Sequence, residues 1–189
     1  MTTARRLHYS YEEYLAALEM SEMKLEYCDG EMYAMAGGTP AHAELAAATI
    51  GILRNELLGR CRVSTSDLKV HIEATGLSTF PDVSVVCGAR ELARIDRNAI
   101  TNPTLLVEVT SRSTEDYDRG EKLNHYQQCP SLQAVLFVSH RRRQVTLVSR
   151  TAAGWDTSEF RPGQRVEVPA LALKFSLDEL YGGIALDEG

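Results

Sequence analysis

Two carboxylates and a lysine stand where they could do chemistry. Asp82 opens the apolar run "FPDVSVVC", Glu108 sits inside "TLLVEVTS", and Lys122 follows in "TEDYDRGEKLNHYQQC". Strand alternation puts Leu106, Glu108 and Thr110 on one face, and Leu105, Val107 and Val109 on the other. An unpaired carboxylate buried there costs several kcal/mol, so Glu108 needs a cation or hydrogen-bond donors, unless it is a solvated strand end. Pro81 suits the first residue of a strand, which places Asp82 near that strand's mouth; the plain alternative is a Pro-Asp turn. If the two strands are neighbours, their acids converge. Two carboxylates in one cleft repel each other unless a divalent cation lies between them, and Mg²⁺ is commonly held by one or two carboxylates with waters and phosphate oxygens.

The lysine belongs to the element that leaves the Glu108 strand. Asp118, Lys122 and Tyr126 are spaced by four, on one face of a helix that Ser113 or Thr114 can cap. A surface ion pair between Asp118 and Lys122 is one outcome. The other is a lysine reaching into the cleft as positive charge beside a developing oxyanion.

The remaining elements must hold these groups. "YSYEEYLAALEM" predicts a short helix with a capping box from Ser10 and Glu13. "KLEYCDGEMYAMAGG" predicts a hairpin turning at Asp29-Gly30. "TPAHAELAAATIGILRNELLG" predicts the longest helix, with Thr39 as N-cap, Pro40 in the first turn, Gly59 at the end, and a small-residue face of Ala43, Ala46, Ala47 and Ile50 toward a sheet. Strands are expected in "CRVST", "LKVHIEA", "PDVSVVC", "TLLVEVTS", "QAVLFVSH", "RQVTLVSR", "WDTSEF" and "QRVEVPA", with a last short helix in "SLDELYG". Hairpins mixed with helices over 189 residues, without repeats or linkers, predict one α/β domain spanning 1–189 on a mixed, curved sheet.

Composition narrows the classes. The formal net charge of −6 makes non-specific attraction to nucleic acid weak, although a local basic cleft is compatible with it. Cys28, Cys61, Cys87 and Cys129 form no C-x-x-C pair, which argues against a zinc knuckle and suggests free cysteines acting as small hydrophobes. The start "MTTARRLHYS" lacks the apolar core of a signal peptide, and no run has the length of a membrane span, so a cytoplasmic protein without a membrane partner is expected.

The pattern "PD … EV-S-ST … D--EK---Y" resembles the Uma-type family of the PD-(D/E)XK nuclease superfamily, with its restriction endonuclease-like fold. The likeness extends from "KLEYCDGEMYAMAGGTPAH" to "LQAVLFVSHRRRQVTLVSR", and "LLVEVTSRSTEDYDRGEKLNHY" is its specific part. It implies a central mixed sheet flanked by helices, with an N-terminal helix-hairpin extension. It also implies a DNA endonuclease using Mg²⁺ or Mn²⁺. In that scheme Asp82 and Glu108 bind the ion, with the Val109 carbonyl as a further candidate ligand, and Lys122 orients the attacking water or stabilises the transition state. The superfamily's lysine normally stands two residues after the second acid; here Thr110 occupies that place and Lys122 matches a variant with the lysine on the following helix. The competing expectation is an inactive nuclease-fold scaffold that binds nucleic acid or a partner protein.

Other residues are weighed in the same frame. Asp67 and Lys69 in "SDLKVHI" have the literal D-x-K spacing but lack a preceding Pro-Asp strand, and Lys69 reads as an exposed strand residue. Glu44 is either an extra acidic ligand or a solvated helix residue, and His42 either an active-site or a helix-capping residue. His71, His125 and His140 lack metal spacing and read as structural or exposed, and Arg141, Arg142 and Arg143 as a solvated hairpin turn. A homodimer, using the apolar C-terminal stretch, is a further expectation.

Overall fold

Helix α1 (Tyr11–Met20) starts at the predicted capping box: the Glu13 N–H donates to Ser10 Oγ at 3.2 Å, and the Ser10 N–H donates to Glu13 Oε2 at 2.7 Å. A computed structural model describes residues 8–35, 37–111 and 115–187. The expected caps Ser113 and Thr114 lie outside the described residues. Strands β1 (Leu25–Cys28) and β2 (Glu31–Ala34) form the predicted hairpin. Asp29 (φ 48°) and Gly30 (φ 80°) both take the left-handed backbone that a two-residue hairpin turn requires.

Helix α2 (Pro40–Glu56) is capped by Thr39, whose Oγ1 accepts from the His42 N–H at 3.3 Å, and Pro40 stands in the first turn. Its buried stripe is Ala41, Leu45, Thr49 and Leu53, whereas Ala43 and Ala47 are exposed. The expected small-residue face is therefore split: Ala43 and Ala47 turn to solvent, while Ala46 and Ile50 pack, half-buried, against the core. Fully burying a leucine contributes about 1.5–3 kcal/mol, more than an alanine can offer, and that difference sets the rotation of the helix.

The strands that follow are β3 (Cys61–Thr65), β4 (Lys69–Ile72), β5 (Leu77–Thr79), β6 (Val83–Cys87), β7 (Ala99–Ile100) and β8 (Leu105–Thr110). A helical segment, 115–127, comes next: a turn of α3 (Glu115–Tyr117), a π-helical turn (Asp118–Lys122), and α4 (Leu123–Gln127). The chain closes with β9 (Ala134–Ser139), β10 (Val145–Thr151), β11 (Gly154–Phe160), β12 (Arg165–Val168), β13 (Leu173–Ser176) and α5 (Leu177–Leu180).

A mixed six-stranded sheet has the order β11-β10-β9-β8-β6-β3. Its parallel pair is β8–β9, joined through the helical segment, as a parallel connection demands. On one face, Val83, Val85, Val107, Val109 and Leu136 pack against α2, the β12–β13 hairpin and α5. On the other, Val86, Leu106 and Phe137 pack against Tyr126 of α4 and against Cys28, Val70, Ile72 and Leu77. Those last residues come from a second, five-stranded sheet, β2-β1-β5-β4-β7. The N-terminal hairpin extends one edge of this sheet, with β1 paired to β5. Burial of Glu26, Tyr27 and Cys28 fixes it there.

Two further expectations are corrected. Cys61 and Cys87 are directly opposed in the antiparallel β3–β6 register and form a disulfide, so only Cys28 and Cys129 are free, buried thiols. Scattered in sequence, the pair is brought together by strand pairing. The apolar C-terminal residues Leu177, Leu180 and Tyr181 are buried in the chain's own core, with Ile184 and Leu186 packed, partly buried, against it, so this stretch is not a free apolar surface. Among the described residues, no helix is long and apolar enough to cross a membrane.

Candidate active site

Strand pairing brings the two acids together. In the antiparallel β6–β8 pair Val83 faces Val107, so Asp82, one step earlier, comes opposite Glu108, one step later. Residues so opposed share a face of the sheet. The two carboxylates lie close enough for Asp82 to help hold the proton on Glu108. Their oxygens are partly committed. Asp82 Oδ2 accepts from the Val109 N–H at 2.7 Å and lies 3.3 Å from His42 Nε2. Glu108 Oε1 accepts from the Tyr126 hydroxyl at 2.5 Å and lies 3.0 Å from Lys122 Nζ. Among the described residues, Asp82 Oδ1 and Glu108 Oε2 accept no hydrogen bond.

Lys122 comes from the helical segment, as its spacing from Glu108 allowed. It is buried, not part of a surface pair: Nζ lies 3.0 Å from Glu108, 3.2 Å from Glu26 and 3.9 Å from Asp118. Thr110, at the place of the superfamily lysine, is buried and its hydroxyl has no hydrogen-bond partner, so the helix supplies the cation that β8 does not. Glu26 is the residue sequence reasoning missed. Its carboxylate accepts from the Thr79 hydroxyl and from the Phe80 N–H at 3.3 Å, and so links the second sheet to the site. The available signal was an acid in the middle of "LEYC", flanked by residues that bury.

Charge balance sets the protonation states. Burial, opposed by Lys122 and assisted by Asp118 and Asp82, pushes the Glu108 carboxyl up to about 8. Burial works against the charge of Lys122, but Glu108, Glu26 and Asp118 outweigh it and hold the ammonium well above its ordinary value. Lys122 therefore stays a cation at any working pH. His42 is raised, chiefly by its hydrogen bond to Asp82, against the opposing effect of burial. Asp82 and His42 are the members that reach solvent, with side chains 14% and 23% exposed.

The other candidates fall elsewhere. Asp67 sits in the turn before β4 and pairs with Lys24 at 2.9 Å, while Lys69 is buried against Asp96 at 2.6 Å. The D-x-K spacing thus spans two unrelated ion pairs, and Lys69 is not an exposed strand residue. Glu44 is exposed on α2. His71 bonds Ser78 at 2.8 Å and His140 pairs with Asp187 at 3.1 Å, both as structural contacts, whereas His125 lies beside Cys28. Arg141, Arg142 and Arg143 are exposed at the β9–β10 turn. A cleft of about 740 Å³ lined by Lys24, Lys69, Phe80, Arg90 and Arg97 is separate from the acids.

The mixed central sheet flanked by helices is a restriction endonuclease-like fold. A solved structure titled a putative nuclease belonging to DUF820, from Anabaena variabilis, superposes with a TM-score of 0.75 at 18% identity, covering 92% of this chain and 98% of that one. The chain belongs to the Uma2 family, described as "Putative restriction endonuclease", whose profile matches residues 11–179. An uncharacterized protein of Synechocystis sp. is 39% identical over 178 residues, 93% of either chain. A second uncharacterized protein of that organism is 30% identical over 127 residues, 67% of this chain and 72% of its own.

Proposed function

We propose that this protein is a divalent-metal-dependent endonuclease that hydrolyses phosphodiester bonds in DNA, with Asp82 and Glu108 as metal ligands and Lys122 as the catalytic cation. The observation that carries the proposal is the opposition of Asp82 and Glu108 across β6–β8 with Lys122 at 3.0 Å from Glu108. The donor set fits Mg²⁺ or Mn²⁺: each carboxylate has one oxygen anchored by protein donors and one that, among the described residues, accepts no hydrogen bond, and hard cations take such oxygens together with water. When bound, the ion lowers the pKa of a water and neutralises charge on the scissile phosphate.

The protein's own residues do the rest. The Val109 N–H and His42 fix Asp82, and Tyr126 fixes Glu108, so neither acid has to reorganise. Lys122, permanently charged, cannot take a proton from water. It acts as a donor to the phosphoryl oxygens as negative charge builds on them. Glu26 and Asp118 hold that ammonium in place.

The test is supercoiled plasmid cleavage with Mg²⁺ or Mn²⁺, comparing wild type with Asp82→Asn, Glu108→Gln and Lys122→Met, each checked for folding by circular dichroism. Each folded variant should lose about 100- to 1000-fold in rate. Cleavage unchanged in Asp82→Asn would remove the metal site. DNA retention without cleavage by wild type, at any pH between 7 and 9, would favour the scaffold alternative. That alternative draws on the enclosure of Lys122 by three acids.

A further inference from the structure

We propose that Cys28, Glu121 and His125 form a second metal site, one for zinc, that ties β1 to the helical segment carrying Lys122. The three donors come from two parts of the chain far apart in sequence. Cys28 ends β1, while Glu121 and His125 are four residues apart on segment 115–127, one in the π turn and one in α4. Their ligand atoms all lie within 4.8 Å of one another. Cys28 Sγ and His125 Nε2 are 3.5 Å apart. A tetrahedral zinc with a Zn–S bond of about 2.3 Å and a Zn–N bond of about 2.0 Å separates sulfur from nitrogen by about 3.5 Å, so these two ligands need not move.

The chemistry of the donors selects the ion. A thiolate and an imidazole favour zinc over Mg²⁺, whereas the carboxylates Asp82 and Glu108 suit Mg²⁺ or Mn²⁺. The imidazole has no competing role. Its Nδ1 is buried without a hydrogen-bond partner, and among the described residues its one side-chain polar contact is the thiol. Cys28 is buried, His125 half-buried and Glu121 exposed, which gives the ion an entry path and leaves a fourth position for water. Burial, then the negative charge of Glu121, Asp29, Glu26 and Glu31, keeps the free thiol protonated. The same negative potential attracts a cation, whose arrival releases that proton.

The placement gives the site a purpose. Cys28 is two residues from Glu26, Glu121 adjoins Lys122, and His125 adjoins Tyr126. Zinc here would lock together the two elements whose acids and cation meet in the Glu26–Lys122–Glu108 cluster.

Cobalt titration of the full chain, stripped by chelator under non-reducing conditions, tests this. One equivalent of Co²⁺ should produce a thiolate-to-cobalt charge-transfer band and the intense visible bands of a tetrahedral ion, both abolished when Zn²⁺ displaces it. Cys28→Ser should lose the charge-transfer band. Glu121→Gln, a change at an exposed position that does not threaten folding, should weaken binding at least about tenfold, as the loss of a metal ligand or of a group that supports one does. Asp82→Asn should leave the spectrum unchanged, which separates this site from the proposed nuclease centre. Zinc should also raise the melting temperature of wild type and not of Cys28→Ser. A charge-transfer band that persists in Cys28→Ser, or no band in wild type, overturns the proposal.

Discussion

Glu108→Gln isolates the electrostatics of the site. In the folded protein the Glu108 carboxyl is displaced from the ordinary 4.5 to about 8, because burial and the neighbouring acids outweigh Lys122. Between those values the folded state holds a proton that the unfolded chain has released, so this group makes stability fall as pH rises across the window. At 1.36 kcal/mol per pH unit the full displacement amounts to an upper bound of about 5 kcal/mol. Glutamine mimics the protonated acid and can still accept from Tyr126, so it should be nearly neutral at pH 5. At pH 8.5 it should be the more stable protein by several kcal/mol. Urea unfolding of both proteins, without metal, at intervals from pH 5 to 9 gives the difference curve. Its sign is the point: the wild type loses ground to the variant as pH rises. Parallel curves, or a wild type that gains stability with pH relative to the variant, would refute the buried, proton-holding Glu108.

The remaining predictions concern its neighbours. In the proposed metal site an arriving ion would have to displace the Glu108 proton, so Mg²⁺ affinity should rise about tenfold per pH unit below 8 and level off above it, with proton release seen by calorimetry in two buffers. Lys122→Met leaves Glu26, Glu108 and Asp118 without their cation and should cost about 3–5 kcal/mol in urea unfolding; adding Glu108→Gln should recover part of the loss. His42 is raised by Asp82, so it contributes stability below its unfolded value near 6.5 that is lost as pH rises through its folded one; in Asp82→Asn its titration, followed by NMR, should shift down. Tyr181→Phe removes a buried hydroxyl lying 2.8 Å from the Ser139 carbonyl and 2.7 Å from that of Gln144, and should lower stability by about 1–3 kcal/mol in the same assay.

The sequence told most about groups whose position follows from local pattern. Asp82 and Glu108 each interrupt an apolar run, and a buried acid demands a partner whatever the fold. Lys122 follows from its place on the next helical element. Glu26 was not legible in the same way, because its role depends on how β1 pairs with β5 and where that sheet meets the helical segment. Such pairing is set by packing over long separations, not by spacing along the chain. The Cys61–Cys87 bond was hidden for that reason too. Strands β5, β7 and β13 are only two to four residues long, too short for alternation to mark them. The rotation of α2 was half legible: Ala46 and Ile50 of the small-residue face do pack on the core, but the fully buried stripe is centred on Leu45 and Leu53, which leaves Ala43 and Ala47 outside.

The π-helical turn at Asp118–Lys122 decides where the site tolerates a change in chain length and where it does not. A wide turn takes up residues that a tighter helix would have to pass along. Excising Gly120 would let segment 115–127 close up as ordinary α-helix, in which each residue advances about 100° around the axis. A π turn and the α turn that replaces it sweep nearly the same angle, so Tyr126 would stay beside Glu108 and His125 beside Cys28, with the upstream Glu115–Arg119 pair intact. The same excision in α4 ahead of Tyr126 has no wide turn to absorb it and would rotate that residue by about 100°, off Glu108.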